Sequence, residues 1–147
     1  TPDEVFSFGS CFIPEIGSIG DLDNVLVSLR FAGGLLASVD VNRSSAYGYD
    51  QRIEVFGSLV MLQAENRPQN LVVRSTGKGI ARPPVDHSFP TRYRDAYRAE
   101  LDCFLDCVHG RREVPITHDQ VRGSYLVADS AERSFRERRP VRIGETC

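Results

Sequence analysis

The sequence predicts an α+β domain: an open, mostly antiparallel β-sheet with two C-terminal helices packed on one face. Alternation of apolar and polar residues, which is typical of half-buried strands, dominates the first half of the chain. Apolar residues at helical spacing follow only in the second half. Because strands precede helices with no βαβ alternation, the order favours an antiparallel sheet covered by helices on one side.

Glycine turns divide the strand-rich half into hairpins. Gly33-Gly34 separates two alternating runs and predicts a first hairpin, and Gly57-Ser58 predicts a second in the same way. The Gly, Asp and Pro content of residues 13–24 predicts a loop. The predicted strands are Val5 to Phe12, 25–31, 35–41, 49–56, 59–64 and 71–75.

Two amphipathic helices follow. Apolar residues recur at helical spacing from Tyr93 to Val108, which predicts the first. Thr117 and Gln120 match the capping box that begins a helix, and this second helix is expected to stop before Pro140. A short strand at 141–143 is expected to close the domain.

The face of the sheet that the helices leave open is predicted to be an association surface. Leu26, Leu36 and Phe56 fall on that register and are more apolar than a solvated face requires. We therefore expect a homodimer or homotetramer that forms through the open sheet face.

Composition bounds the class of protein. A chain of 147 residues fits one domain over 1–147, and no apolar run reaches the roughly 18 to 20 residues of a membrane span. The formal net charge of −2 provides no field to attract nucleic acid, and Lys78 is the sole lysine. We expect neither a nucleic-acid partner nor a membrane partner.

The cysteines indicate a reducing, cytoplasmic setting, because they are too scattered for a disulfide framework. They are Cys11, Cys103, Cys107 and Cys147. Cys103 and Cys107 lie four residues apart near His109, but zinc sites usually take four ligands and no second pair is evident. Packing beside the apolar stripe explains both thiols, so no metal site is predicted.

The stretch NRSSAYGYDQR, residues 42–52, concentrates hydrogen-bonding side chains at the end of a strand. Strand periodicity places Tyr49 and Gln51 on one face, with Asp50 and Arg52 on the other. Such groups can bind a polyhydroxylated ligand, or the aspartate and arginines can form ion pairs that fix the strand crossing. The residues alone leave both interpretations open.

Neither a cofactor loop nor a catalytic group is predicted. The close glycines lie in tight turns at Gly33-Gly34 and at 77–79, and neither pair follows a strand and opens a helix, as a phosphate-binding loop does. His87 and His118 have no evident serine or cysteine partner. We therefore expect this chain to contain no catalytic residue and no cofactor-binding residue.

The sequence also resembles a known family. The run VSLRFAGGLLASVDVNRSSAYGYDQRIEVFGSLVML is similar to the sheet core of the C-terminal domain of the Gfo/Idh/MocA oxidoreductases. RYRDAYRAELDCF resembles the long helix that follows that sheet, and ADSAERSFRERRPVRI resembles its last helix and closing strand. The YGYDQRxEVFG block is similar to the inositol 2-dehydrogenase branch, and the resemblance covers about residues 5 to 143.

The resemblance implies the second half of a two-domain enzyme. Family members join a Rossmann domain, which binds NAD or NADP, to a sheet that shapes the substrate pocket and forms dimers or tetramers. Their catalytic lysine lies in a Glu-Lys-Pro motif, and an Asp and His pair follows it; neither feature occurs here. The chain starts without methionine or leader and is expected to be part of a longer protein. Alone, it is expected to be inactive.

Carried over to this sequence, the resemblance makes Tyr47 and Tyr49 the first candidates for contact with a polyol or sugar. Asn42 and Arg43 come next. Asp50 and Arg52, with Leu36 and Phe56, are expected to organise the strand or the subunit contact. The alternative is a standalone, non-catalytic module that dimerises or binds a partner through the same open sheet face.

Overall fold

The computed structural model describes residues 1–145; Thr146 and Cys147, the last of the four scattered cysteines, lie outside the described residues. The chain forms two compact units: Thr1–Ser44 with the segment from Val114 onward, and Ser45–Glu113. The elements of the described residues are β1 (Glu4–Ser10), α1 (Pro14–Gly17), β2 (Asn24–Arg30), β3 (Leu36–Asn42), β4 (Ile53–Phe56), β5 (Met61–Ala64), β6 (Arg74–Thr76), β7 (Gly79–Ala81), α2 (Phe89–Arg92), α3 (Arg94–Val108), α4 (His118–Glu137) and β8 (Val141–Arg142).

The first unit contains an antiparallel four-stranded sheet in the order β3-β2-β1-β8. The predicted β2–β3 hairpin is confirmed, and its turn places Gly34 at φ 83°, where a side chain would be strained. The amide of Gly34 donates to the carbonyl of Phe31 at 2.9 Å. This local pairing sets the register in which Leu29 lies opposite Ala37.

The core of the first unit lies where α4 packs against β1 and β8. Val5 and Val141 are fully buried there. The amide of Ser7 donates to Ser134 Oγ at 3.1 Å, and that hydroxyl donates to the carbonyl of Arg139 at 2.7 Å. A buried serine therefore joins the helix, the sheet and the loop between them through hydrogen bonds that water cannot replace.

The capping box predicted for the second helix is confirmed. Thr117 Oγ1 accepts from the amide of Gln120 at 3.3 Å, and the Gln120 side chain accepts from the amide of Thr117 at 2.8 Å. These two bonds satisfy backbone donors that a helix start leaves unpaired. The helix ends before Pro140, as expected.

The opposite face of the sheet carries apolar side chains among polar ones. Phe8 lies opposite Leu26 in the register of β1 and β2, and Leu36 lies at the start of β3, opposite Arg30. All three side chains are exposed. Phe6 and Phe8 contact each other edge to face on this surface, with ring centroids 4.7 Å apart.

The second unit contains two hairpins, β4–β5 and β6–β7, followed by α2 and α3. The first of them begins four residues later than the alternation predicts, at Ile53 rather than Tyr49. The reason is that the amides of Tyr49 and Gln51 donate elsewhere, to the Asp86 carbonyl at 2.7 Å and to Asn66 Oδ1 at 2.8 Å. The α+β prediction itself, an antiparallel sheet with C-terminal helices, is confirmed.

Candidate functional site

The segment that carries the candidate tyrosines bends at Gly48, where the chain passes against residues 85 and 86. Gly48 has φ 127°, and an added Cβ would lie 2.5 Å from Val85 Cγ2 and 2.9 Å from the Asp86 carbonyl oxygen. Only glycine fits this approach. Because Tyr47 and Tyr49 flank this position, their backbone is fixed on both sides of the bend.

Asp50 is the centre of the polar cluster in the second unit. Its carboxylate accepts two hydrogen bonds from Arg52, from Nε at 2.8 Å and Nη2 at 2.9 Å. Asn66 Nδ2 donates to Oδ1 at 2.6 Å, and the Tyr47 hydroxyl donates to Oδ2. Both oxygens are therefore occupied by donors from the same unit.

These donors determine the charge state of Asp50. The Arg52 guanidinium, followed by the Tyr47 hydroxyl and the Asn66 amide, lowers the pKa of Asp50 to about 2. Each of the three hydrogen bonds favours the ionised carboxylate. Asp50 is therefore charged at neutral pH, and its charge is paired with that of Arg52.

A second network continues from Gln51 and contains Tyr49. The Tyr93 hydroxyl donates to Gln51 Oε1, and the Tyr93 ring lies edge to face with Tyr49 at a centroid distance of 5.5 Å. Burial, followed by the neighbouring Tyr49, raises the pKa of Tyr93. Tyr93 therefore remains a protonated donor at neutral pH, and it fixes the position of the Tyr49 ring.

Asn42 and Arg43 belong to the first unit, at the end of β3. Asn42 Oδ1 accepts from the amide of Ser44 at 2.8 Å, which closes a local turn. Arg43 Nη1 forms an ion pair with Asp21 Oδ2 at 3.1 Å, and the Arg43 amide donates to the Asp23 carbonyl at 2.9 Å. Local contacts thus position both residues. The structure brings Tyr47, Asp50 and Arg52 together directly.

Leu26, Leu36 and Phe56 were predicted on one open sheet face, but the structure places Phe56 on the separate β4–β5 hairpin, while Leu26 and Leu36 lie in the four-stranded sheet. Leu36 on β3 is 71% exposed and Phe56 on β4 is 82% exposed. Apolar side chains this open contribute nothing to the core of their own unit, so they are available for contact with another surface.

Sequence reasoning missed Asn66 and Tyr93 as site residues, although it noted Gln51 on the same strand face as Tyr49. Asn66 stands in the loop NRPQN, which by composition is a plain connection, and Tyr93 fits the apolar stripe that predicts α3. No local signal marks either residue, because each acts on a partner far away in the chain. The Asn66 to Asp50 bond spans 16 residues, and the Tyr93 to Gln51 bond spans 42.

Two cavities of contrasting chemistry lie in the two units. In the first, an open groove of about 560 Å³ runs along α4 and is lined mainly by carbon, including Ile116, Val121 and Tyr125. In the second, a cavity of about 210 Å³ is lined by polar groups that include Asp86 and Thr91. Hydroxyl-rich ligands need donors and acceptors, so the larger groove is the poorer site for them.

Neither a metal nor a membrane site emerges from residues 1–145. Among them, no group of three or more His, Cys, Asp or Glu side chains could hold a metal ion. Burial, followed by the neighbouring Cys103, raises the pKa of the Cys107 thiol, which makes it a poorer metal ligand. Within the same residues no helix is long and apolar enough to cross a membrane.

Comparison with known proteins gives the family. Residues 1–63 match the model described as the GFO/IDH/MocA C-terminal domain. The Myo-inositol 2-dehydrogenase of Thermotoga maritima is 37% identical over 144 residues, which are 97% of this chain and 43% of that protein. The scyllo-inositol 2-dehydrogenase (NAD(+)) of Bacillus subtilis is 29% identical over 130 residues, 88% of this chain and 38% of that protein.

A solved structure agrees with these matches. The crystal structure of a probable dehydrogenase from Thermotoga maritima superposes with a TM-score of 0.94 at 36% identity, over 100% of this chain and 44% of that one. The chain therefore belongs to the Gfo/Idh/MocA family, as a C-terminal domain of an oxidoreductase. Within that family it corresponds to the C-terminal domain of inositol dehydrogenase-like oxidoreductases. It spans less than half the length of the relatives it matches.

Proposed function

We propose that this chain provides one wall of the substrate pocket, and the oligomerisation surface, of an NAD(P)-dependent dehydrogenase that acts on an inositol or a related sugar. The observation that carries the proposal is the Asp50 cluster, which holds Tyr47 in place on a chain similar to inositol 2-dehydrogenases. The polyol class follows from the names of those relatives together with the hydroxyl and amide groups of the cluster.

The chemistry of the cluster suits the binding of a polyol rather than its oxidation. Each hydroxyl of a polyol is both a donor and an acceptor. The Tyr47 hydroxyl donates its hydrogen bond to Asp50, and its oxygen keeps lone pairs with which it can accept a hydrogen bond from a ligand. Tyr49 lies behind the same bend, with its ring fixed by Tyr93. The wall therefore orients the substrate by hydrogen bonds.

Residues 1–145, which the structure describes, offer no loop that fits a nicotinamide dinucleotide. Gly33 and Gly34 lie in the β2–β3 turn, and Gly77 lies between β6 and β7, so none of them opens a helix toward a pyrophosphate. A bound nicotinamide ring would accept the hydride from the substrate. The Bacillus subtilis relative is named as an NAD(+)-dependent enzyme, which favours NAD over NADP as the cofactor. We infer that a dinucleotide-binding domain elsewhere in a longer protein holds this cofactor.

Two experiments test this proposal. The isolated chain, mixed with myo-inositol and NAD or NADP, is expected to show no turnover, and measurable turnover would contradict the assignment. The reading frame around the chain is expected to encode a G-x-G-x-x-G and a Glu-Lys-Pro upstream. If a start codon lies directly before Thr1 instead, the chain is a standalone binding module and the dehydrogenase proposal fails.

The substrate contact is tested in the full-length protein. Tyr49→Phe is expected to raise the KM for the polyol several-fold and to leave the KM for the dinucleotide unchanged, because one hydrogen bond to the substrate is lost. Tyr125→Phe is the matched control, since Tyr125 lies exposed on α4 in the other unit. Loss of dinucleotide binding in Tyr49→Phe would instead indicate a folding role.

The oligomerisation role rests on the exposed apolar side chains of Phe8, Leu26 and Leu36 on one face of the sheet, which are 63%, 45% and 71% exposed. Sedimentation of the isolated chain is expected to show a homodimer or homotetramer, and Leu26→Asp is expected to shift it to monomer. A monomeric wild-type chain would contradict the role.

The free thiols of Cys11, Cys103 and Cys107 fit a reducing compartment, from which we infer a cytoplasmic location.

A further inference from the structure

Asn66 uses both ends of its amide on two consecutive residues of the tyrosine segment. Nδ2 donates to Asp50 Oδ1 at 2.6 Å, and Oδ1 accepts from the amide of Gln51 at 2.8 Å. Asn66 follows β5, so these bonds tie the far arm of the β4–β5 hairpin back to the segment before β4. The NH2 group of the Asn66 side chain faces an acceptor and its oxygen faces a donor, so the orientation of this side-chain amide is fixed.

The first of these bonds leads to Tyr47. The Asp50 carboxylate accepts from Asn66 on Oδ1 and from the Tyr47 hydroxyl on Oδ2, so rotation of the carboxylate moves the tyrosine partner as well. Arg52 contacts both oxygens from one side, whereas Asn66 contacts one from the neighbouring loop. Asn66 thus holds the carboxylate plane in the orientation that Tyr47 requires.

The second bond leads to Tyr49. The backbone amide of Gln51 donates to Asn66, and the side chain of Gln51 accepts from the Tyr93 hydroxyl. The Tyr93 ring in turn packs edge to face on Tyr49. Both candidate tyrosines are therefore connected to one asparagine, Tyr47 through Asp50 and Tyr49 through Gln51 and Tyr93. Such connected polar groups act as a unit when each member is satisfied.

We propose that Asn66 is a positioning residue for the polyol site: it orients Tyr47 through Asp50 and Tyr49 through Gln51 and Tyr93. The proposal rests on the proposed function, because the polyol contacts of the tyrosines are part of it. It adds a residue outside the tyrosine block and assigns Asp50 an orienting role rather than one at a subunit contact.

Asn66→Asp is the sharpest test, because it keeps the shape and the acceptor for Gln51 but sets a second carboxylate against Asp50. The control is Asn70→Asp in the same loop, where Oδ1 accepts only from the amide of Val72 at 3.0 Å and a carboxylate accepts equally well. In the full-length protein, Asn66→Asp is expected to raise the KM for the polyol about tenfold, since an unpaired polar group replaces a hydrogen bond. The KM for the dinucleotide and the kcat are expected to change less than threefold.

A double variant checks the route. Adding Asp50→Asn to Asn66→Asp removes the like charge and restores a donor opposite the new carboxylate, so the KM is expected to fall back toward that of Asp50→Asn alone. An unchanged KM in Asn66→Asp, or equal effects of Asn66→Asp and Asn70→Asp, would overturn the proposal. Asn66→Ala provides the same comparison if the charged variant does not fold.

The isolated chain gives an independent readout that separates the two proposals. Tyrosine ring signals in ¹³C-resolved NMR are expected to shift for Tyr47 and Tyr49 in Asn66→Asp, and to stay in place in Asn70→Asp. Shifted rings in the isolated chain, combined with a full-length protein that oxidises no polyol, would contradict the proposed function and keep the positioning role of Asn66. Unshifted rings would overturn the positioning role, whatever the activity.

Discussion

The ion pair between Asp50 and Arg52 predicts a measurable, pH-dependent share of the stability of the second unit. Asp50→Asn keeps the shape of the side chain and one acceptor oxygen, but it replaces the other oxygen with an NH2 donor and removes the charge that Arg52 contacts through two nitrogens. The part of its effect that depends on pH therefore reports the ionised carboxylate.

The magnitude follows from the pKa of Asp50, which falls from an ordinary 3.8 to about 2. At about 1.36 kcal/mol for each pKa unit, this depression sets an upper bound of about 2.4 kcal/mol. The Asp50 side chain is only 17% exposed, but that of Arg52 is 60% exposed, so water screens the pair. We expect Asp50→Asn to lower the free energy of unfolding by roughly 1 kcal/mol at pH 7.

The sign of the pH dependence is fixed by the direction of the shift. A depressed pKa stabilises the folded chain above pH 3.8, and that stabilisation is lost as the pH falls from there through about 2. Urea unfolding followed by tyrosine fluorescence measures it, since the chain has no tryptophan. The difference in the free energy of unfolding between the wild type and Asp50→Asn is expected to be largest at pH 7 and to become smaller toward pH 2.5.

Asp102→Asn is the matched control, since Asp102 lies exposed on α3 of the same unit. It is expected to change the free energy of unfolding by less than about 0.5 kcal/mol. Equal effects of the two substitutions at pH 7 would refute the stabilising role of the ion pair. If the difference in the free energy of unfolding between the wild type and Asp50→Asn stays constant down to pH 2.5, the ionised carboxylate is not the cause of that difference.

Three further substitutions test the fold by urea unfolding at pH 7. Gly48→Ala is expected to cost about 2 kcal/mol or more, because φ is 127° and the new Cβ meets an atom at 2.5 Å, whereas Gly77→Ala meets none within 4 Å and is expected to be nearly neutral. Ser134→Ala is expected to cost about 1 to 3 kcal/mol by leaving a backbone donor and a backbone acceptor unpaired, and a cost equal to that of Ser124→Ala would contradict this. Thr117→Ala removes the capping oxygen and is expected to cost about 1 kcal/mol, with an unchanged midpoint as the contrary result.

The fold could be predicted from the sequence where the determining pattern is local. Alternation on both sides of Gly33-Gly34 defines the β2–β3 hairpin, and Thr117 with Gln120 defines the start of α4, because each signal lies within a few residues of the structure it predicts. The predicted start of β4 was wrong by four residues. The alternation of apolar and polar residues continues back to Tyr49, but the backbone amides of Tyr49 and Gln51 donate to distant residues and not to a neighbouring strand.

The candidate site was predictable only in part, for the same reason. YGYDQR is dense enough in polar side chains to stand out, so Tyr47, Asp50 and Arg52 could be selected from sequence. Which of their atoms remain available to bind a ligand depends on neighbouring side chains, and the sequence pattern does not show which side chains lie beside them. Asn66 in a plain loop and Tyr93 at the N-cap of α3 become site residues only when the hairpin and the start of α3 fold against the segment.

The state of Asp50 argues for a division of roles between this chain and the rest of a longer protein. A general base works best when its pKa lies near the operating pH, whereas Asp50 has a pKa of about 2 and both oxygens engaged by donors. It is therefore a poor acceptor for a substrate proton and a good anchor for the groups around it. The most conspicuous carboxylate of the site thus favours orientation over proton transfer, which agrees with a proposed wall that holds the polyol while another domain performs the oxidation.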